Sequence, residues 1–288
     1  MRMLSFSVTV NASSYTTNMR FTRIYLLLVC SVLIPACAIP GDSPWSDLHA
    51  NAYAVGFSPT FEASSSGIVI DGDGANPELS GSFAINSEEE FTNLYGASIG
   101  FAPFELSVSQ FSYSRNQVGV FGGDGGSFGG VLLNDSTPIS STLDIDATKV
   151  MVGIDVVNTS VARVSLLAGV DILSFNQFSF TASSVNQEVL NDQEVPVPII
   201  GLRGDIAIPG TRISLGAEIT GISIDVDDVE ASFFDHDINL SMEIFKNAEA
   251  VIGYRAMNIK IDGSIGNTKI TNMDLSMSGP YFGVSVYF

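Results

Sequence analysis

The chain has 288 residues, with 31 acidic residues against 12 lysines and arginines and a formal net charge of −19 at pH 7. So acidic a balance argues against nucleic acid, whose binding rests on Lys and Arg at phosphates. Mean hydropathy is positive at +0.31, yet beyond the first 38 residues no long run is apolar throughout, which excludes spanning helices and suits strands with one apolar face.

The first 38 residues carry the marks of an export signal. Met1 to Asn18 is rich in Ser and Thr without an apolar centre, whereas Met19-Arg-Phe-Thr-Arg23 opens a basic segment followed by the apolar run Ile24 to Ile34 and by Pro35-Ala-Cys-Ala38. The run is too short to cross a bilayer and fits a cleaved signal, with Met19 expected as the true start. Two processing routes compete. Cleavage after Ala38, at the small-residue site Ala36-Cys37-Ala38, is favoured; lipidation of Cys37 is the alternative, in a box spoiled by Pro35. After cleavage, the domain 39–288 has no cysteine and no disulfide framework, and nine basic residues face 31 acidic ones.

Along this domain, apolar residues alternate with polar ones at period 2, the signature of a half-exposed strand. Phe104, Leu106 and Val108 alternate with Glu105, Ser107 and Ser109. Val164, Leu166, Ala168, Val170 and Ile172 oppose Arg163, Ser165, Gly169 and Asp171. The same holds for Ile200 to Ile208 against Arg203 and Asp205, for Ile213 to Ile219 against Arg212 to Thr220, and for Ile238 to Ile244 against Asp237 to Glu243. Ten strands are expected, starting near Ala52, Asn93, Phe104, Ser140, Val161, Pro196, Thr211, Ser232, Glu249 and Asn272. Eight or twelve would equally bring both termini to one side.

Connections come in two sizes. Short ones fall at Ala102-Pro103, Asn158-Thr-Ser160, Pro209-Gly210 and Lys246-Asn-Ala248. Long polar ones are expected from Ala63 to Thr92, Asn116 to Pro138, Ala182 to Val195, Asp227 to Ala231 and Gly263 to Thr271. Gly122 to Gly130 is turn-forming in composition and is expected to be one flexible outer loop. Parity slips near Lys149, Gly221, Arg255 and Gly279-Pro280, which marks either β-bulges or points where a strand leaves the membrane.

The predicted inward set holds Arg163, Arg203, Arg212 and Arg255 together with Glu105, Asp155, Asp171, Asp205, Glu218, Asp237 and Glu243. Charges of both signs in a narrow lumen should pair, because an unpaired buried charge is costly. The expected lumen network is therefore Arg163, Arg203, Asp205, Arg212, Glu218, Glu243 and Arg255, plugging the barrel or tuning its conductance. Tyr53, Phe57, Phe104, Tyr254, Phe282 and Phe288 are expected in interfacial girdles.

The chain closes on Gly279-Pro-Tyr-Phe-Gly-Val-Ser-Val-Tyr-Phe288, with Phe282, Val284, Val286 and Phe288 on one face. This resembles the C-terminal assembly signal of Gram-negative outer-membrane β-barrels. With Gly253-Tyr-Arg255 and the alternation upstream, it resembles the superfamily of small porin-like and OmpA-like barrels rather than any one family. The resemblance implies an all-β fold, a closed antiparallel transmembrane β-barrel, and residence in the bacterial outer membrane. It also implies contact with outer-membrane lipid, lipopolysaccharide and the barrel-assembly machinery.

Asp235-His236-Asp237 is the one place where a histidine sits between carboxylates, near a strand end where outer-membrane proteases keep Asp/His machinery. Alternation turns His236 away from both acids, so a polar strand end is the preferred explanation. Asp225, Asp227, Asp228 and Glu230 form an acidic cluster open to divalent cations, but a solvated run is the simpler account. Asp71 and Asp73 lack the downstream Glu of a calcium loop. No catalytic residue, metal or cofactor is assigned. The expected role is structural, surface-interacting or narrow-pore. The alternatives are an outer-membrane hydrolase (protease or lipid deacylase) using His236, or a lipid-anchored surface binding module.

Overall fold

A computed structural model describes residues 48–71, 77–86, 91–128, 131–133, 137–182, 185–226, 229–265 and 268–288; the leader with Cys37 and the acidic residues Asp73, Asp227 and Asp228 lie outside them. In chain order the strands are β1 (Leu48–Phe57), β2 (Thr60–Asp71), β3 (Pro77–Asn86), β4 (Thr92–Phe101), β5 (Phe104–Phe128), β6 (Val131–Leu133) and β7 (Thr137–Asn158). They continue with β8 (Ala162–Ala182), β9 (Val185–Ala207), β10 (Ile213–Val226), β11 (Val229–Phe245), β12 (Ala248–Ile265) and β13 (Thr268–Tyr287).

Every pairing is antiparallel, and the sheet closes on itself where β1 meets β13. β13 pairs its last residues with β1 and its first with β2, so β1 and β2 are two parts of one stave. β4 and β3 likewise share the flank of β5 and form the second stave. With β6 a short addition to β5, the wall is a closed barrel of ten staves. Closure leaves no edge, which lipid demands of any backbone that crosses it.

The short turns lie at the end that holds both chain termini of the wall, where Ala50 and Phe288 exchange backbone hydrogen bonds of 3.1 and 2.8 Å. In outer-membrane barrels the short turns are periplasmic. The expected long loops at the opposite end are corrected: they are largely strand. Ala63 to Thr92 contains most of β2 and all of β3, Asn116 to Pro138 contains the end of β5, and β9 already starts at Val185. Gly122 to Phe128 is ladder rather than loop. Above the bilayer the outer face of a strand meets water, so its outward residues are polar and small, a composition easily mistaken for a loop.

The parity slips have the same cause. The ladders run without register shift through Lys149, Gly221, Arg255 and Gly279-Pro280. Shifts occur elsewhere, at Asp144/Ile145, Asp155/Val157, Phe178/Ser179, Glu243/Phe245 and Ile261/Gly263. The side chains keep their facing; it is the apolar set that moves from the outer to the inner wall as each stave leaves the membrane.

Below that level the outer wall is apolar. Ile238, Leu240, Met242 and Ile244 project outward on β11, as do Ile200, Leu202 and Ile206 on β9 and Phe282 and Val284 on β13. From Phe234 to Ile244, at about 3.3 Å per residue and a tilt of ~40°, the band stands roughly 25 Å tall, the height of an outer-membrane hydrocarbon layer. Phe101, Phe104 and Phe245 lie exposed at the lower rim, and Phe91, Tyr95, Phe234, Tyr254 and Phe282 at the upper. Tyr53 and Phe57, expected in the girdles, instead point into the lumen, where Phe57 is 1% exposed. The Tyr53 ring lies across Gly96 on the neighbouring stave, and the Tyr281 ring across Gly253; a Cβ at either glycine would collide with it.

Candidate functional site

The lumen has two storeys. In the lower one an alternating chain of charges crosses the barrel from wall to wall. Arg163 (β8) donates to Glu105 (β5) at 2.7 Å and to Asp205 (β9) at 3.0 Å, and His49 Nε2 (β1) lies 3.2 Å from the same Glu105 carboxylate. Arg203 (β9) bridges Glu105 and Glu218 (β10), the latter at 2.6 Å. Lys149 (β7) reaches Glu218 at 3.4 Å, the Thr220 hydroxyl at 3.1 Å, and Asp235 (β11). Arg255 (β12) closes the chain on Asp235 with two parallel bonds of 3.1 and 2.8 Å, its guanidinium 5.3 Å above the Phe111 ring. Asp237 accepts from the Tyr281 hydroxyl at 2.8 Å and from the Asn239 amide at 3.0 Å.

Alternation explains how these groups meet. Each lies on the inward row of its stave, so its only alternatives to water are the opposite walls of a narrow barrel. Buried ion pairs contribute little net stability, whereas losing one partner is expensive.

Beneath and around these charges is a polar cavity of about 270 Å³, lined also by Asn51, Ser107, Ser214, Asn239, Ser241 and Ser285. Above them the interior becomes hydrocarbon. Phe57, Phe61, Phe111, Leu143, Phe175 and Met277 belong to one buried apolar cluster. Phe57 meets Phe111 edge-on at 6.2 Å, and Phe61 meets Tyr113 at 6.0 Å. A gap beside this cluster measures about 20 Å³ and is lined by groups such as Leu275 and Met257.

Of the expected network, Arg163, Arg203, Asp205, Glu218 and Arg255 come together. Arg212 does not: it is exposed in the turn before β10, outside the inward row of that strand. Glu243 stands half-buried at the periplasmic end of β11, opposite Glu249, and joins no ion pair among the described residues. Lys149, Asp235 and His49 were missing from the expected set. Lys149 shares the inward row of Ala147 and Met151, and Asp235 that of Phe233 and Asp237; following each row across the apparent parity slip would have found them.

His236 faces outward, its ring 5.7 Å from Phe234, while Asp235 and Asp237 project into the lumen. Asp225 and Glu230 are paired across the β10–β11 ladder. Among the described residues no three His, Cys, Asp or Glu side chains gather as a metal site. The face bearing Phe282, Val284, Val286 and Phe288 points outward, with Phe282 and Val284 well exposed.

No protein-family model matches the sequence, and no curated protein does. Among solved structures, the chain is similar to the outer-membrane protease OmpT of Escherichia coli, with 12% identity, 86% of this chain and 99% of that chain covered, and a TM-score of 0.48. It is also similar to the translocator domain of the autotransporter NalP from Neisseria meningitidis (11% identity, 92% and 98% covered, TM-score 0.40). A third likeness is to the outer membrane protein OprG from Pseudomonas aeruginosa (10% identity, 83% and 96% covered, TM-score 0.31). A closed wall, an apolar band of bilayer height and aromatic residues at both rims make this chain an integral outer-membrane β-barrel.

Proposed function

We propose that the protein is a sealed barrel that works at the cell surface, as an envelope-structural or surface-interaction protein, without conducting solutes through its lumen. The observation that carries this reading is the apolar cluster filling the lumen above the membrane. An ion or polar solute entering the lower cavity would meet Phe57, Phe111 and their apolar neighbours among the described residues, with only isolated polar groups such as Gln117 and Ser141 between them. The paired charges beneath add a second barrier, since a permeant ion would have to break ion pairs to pass. Staves that rise above the bilayer around an apolar core give partners a surface built on paired strands.

A hydrolytic role draws no support from His236, because the barrel wall separates its ring from the neighbouring carboxylates. The outward face of Phe282, Val284, Val286 and Phe288 is the part we assign to recognition by the assembly machinery. Planar-bilayer recording on the purified protein tests the main reading. Silence, or rare brief events, is the expected result; large and stable channel openings would refute it.

A further inference from the structure

Phe91, just before β4 at the upper rim, makes a contact that the neighbouring ladder does not require. Its neighbour in space is β1, where Gly56 pairs with Asn93 on one side and with Phe282 of β13 on the other. The Phe91 ring occupies the place where a Cβ of Gly56 would stand, and meets the Phe282 ring edge-on, with centroids 5.5 Å apart and planes at 68°. A side chain from the second stave thus passes over the first and lands on the tenth. Both rings remain more than half exposed on the outer wall, Phe91 at 58% and Phe282 at 59%.

We propose that Phe91 is a strap that locks the closure of the barrel from its lipid side. The junction of first and last staves differs from all others: no turn ties it, and it joins segments separated by most of the chain, so its ordering cost is the largest in the wall. On the lumen side the same junction is held by Asn51, whose amide donates to Ser285 Oγ at 2.8 Å. On the outer side, water is not available to drive apolar groups together, and contact must come from packing and ring geometry. An edge-on aromatic pair laid across a glycine supplies both. Gly56 is needed there because any larger residue would lift the strap.

Gly56→Val tests this by its sign. Valine suits a lipid-facing strand better than glycine does, so a wall without a strap would convert from its compact gel form at a higher temperature. With the strap, the exchange is expected to lower that temperature, and in a Phe91→Ala background to raise it or leave it unchanged. The same sign in both backgrounds overturns the proposal. Should Gly56→Val fail to insert, Phe91→Ala and Phe282→Ala ask the same question singly and together. A double variant that loses less than the sum of the singles supports the strap, and strict additivity overturns it.

Discussion

The two halves of this barrel share one backbone pattern and use it in opposite senses. Below Lys149 and Arg255, the outward rows are Ile, Leu, Val and Phe, and the inward rows carry Arg, Glu, Asp and Ser. Above them, the outward positions on β5 are Gln110, Ser112, Ser114 and Asn116, while Phe111, Tyr113 and Gln117 point inward. Nothing in the strand geometry changes at the boundary. What changes is the medium outside: lipid below, water above. The lower half is inside-out relative to a soluble protein and the upper half is not, so an apolar row marks a lipid face only at membrane height.

Each half should therefore break in its own way. The largest effect is expected from Asp235→Ala, which leaves Arg255 buried without its carboxylate and Lys149 with only Glu218 and Thr220, and should cost about 3–5 kcal/mol. Urea unfolding in lipid vesicles measures it; a loss below about 1 kcal/mol would mean that water already screens the network. In the upper half, Leu143→Ala should cost about 2–5 kcal/mol by leaving a cavity in the apolar cluster. A near-neutral result there would imply a loosely packed, wet interior.

Outward positions separate the halves most cleanly. Ile238→Arg, at membrane height and 51% exposed, should cost about 2–4 kcal/mol. Ser114→Arg, with the same facing but above the bilayer beside Asp144 at 3.2 Å, should stay within about 0.5 kcal/mol of the parent. Equal penalties would erase the boundary. The smallest effect belongs to Tyr254→Phe at the upper rim. It removes one exposed hydrogen bond of 3.1 Å to Ser278 and should shift stability by no more than about 1 kcal/mol.

Much of the lower half was legible in the sequence because lipid imposes a strict alternation there. The outward rows Ile213 to Ile219 and Ile238 to Ile244, the short turns and the meeting of Arg203 with Glu218 all follow from it. The upper half was obscured. Its polar outward rows share the composition of loops, so from sequence alone most of β2, all of β3 and the end of β5 are indistinguishable from connections. Lys149 and Asp235 were lost at the same boundary, where the change of solvent imitated a change of register. Arg212 erred the other way: alternation alone cannot tell an inward residue from one that has run past the end of its strand. The strap at Phe91 leaves no periodic trace, because it depends on which staves meet at closure.

The division of the lumen is tested most directly by thiol labelling of single cysteines introduced into residues 39–288, which hold none of their own, with a water-soluble reagent. Ser107→Cys, in the lower cavity, should react from the periplasmic side. Met277→Cys, in the apolar cluster, should stay unreacted from both sides while the barrel is folded. Labelling of Met277→Cys at a rate near that of an exposed Ser112→Cys control would show an aqueous path through the upper storey and contradict the sealed lumen.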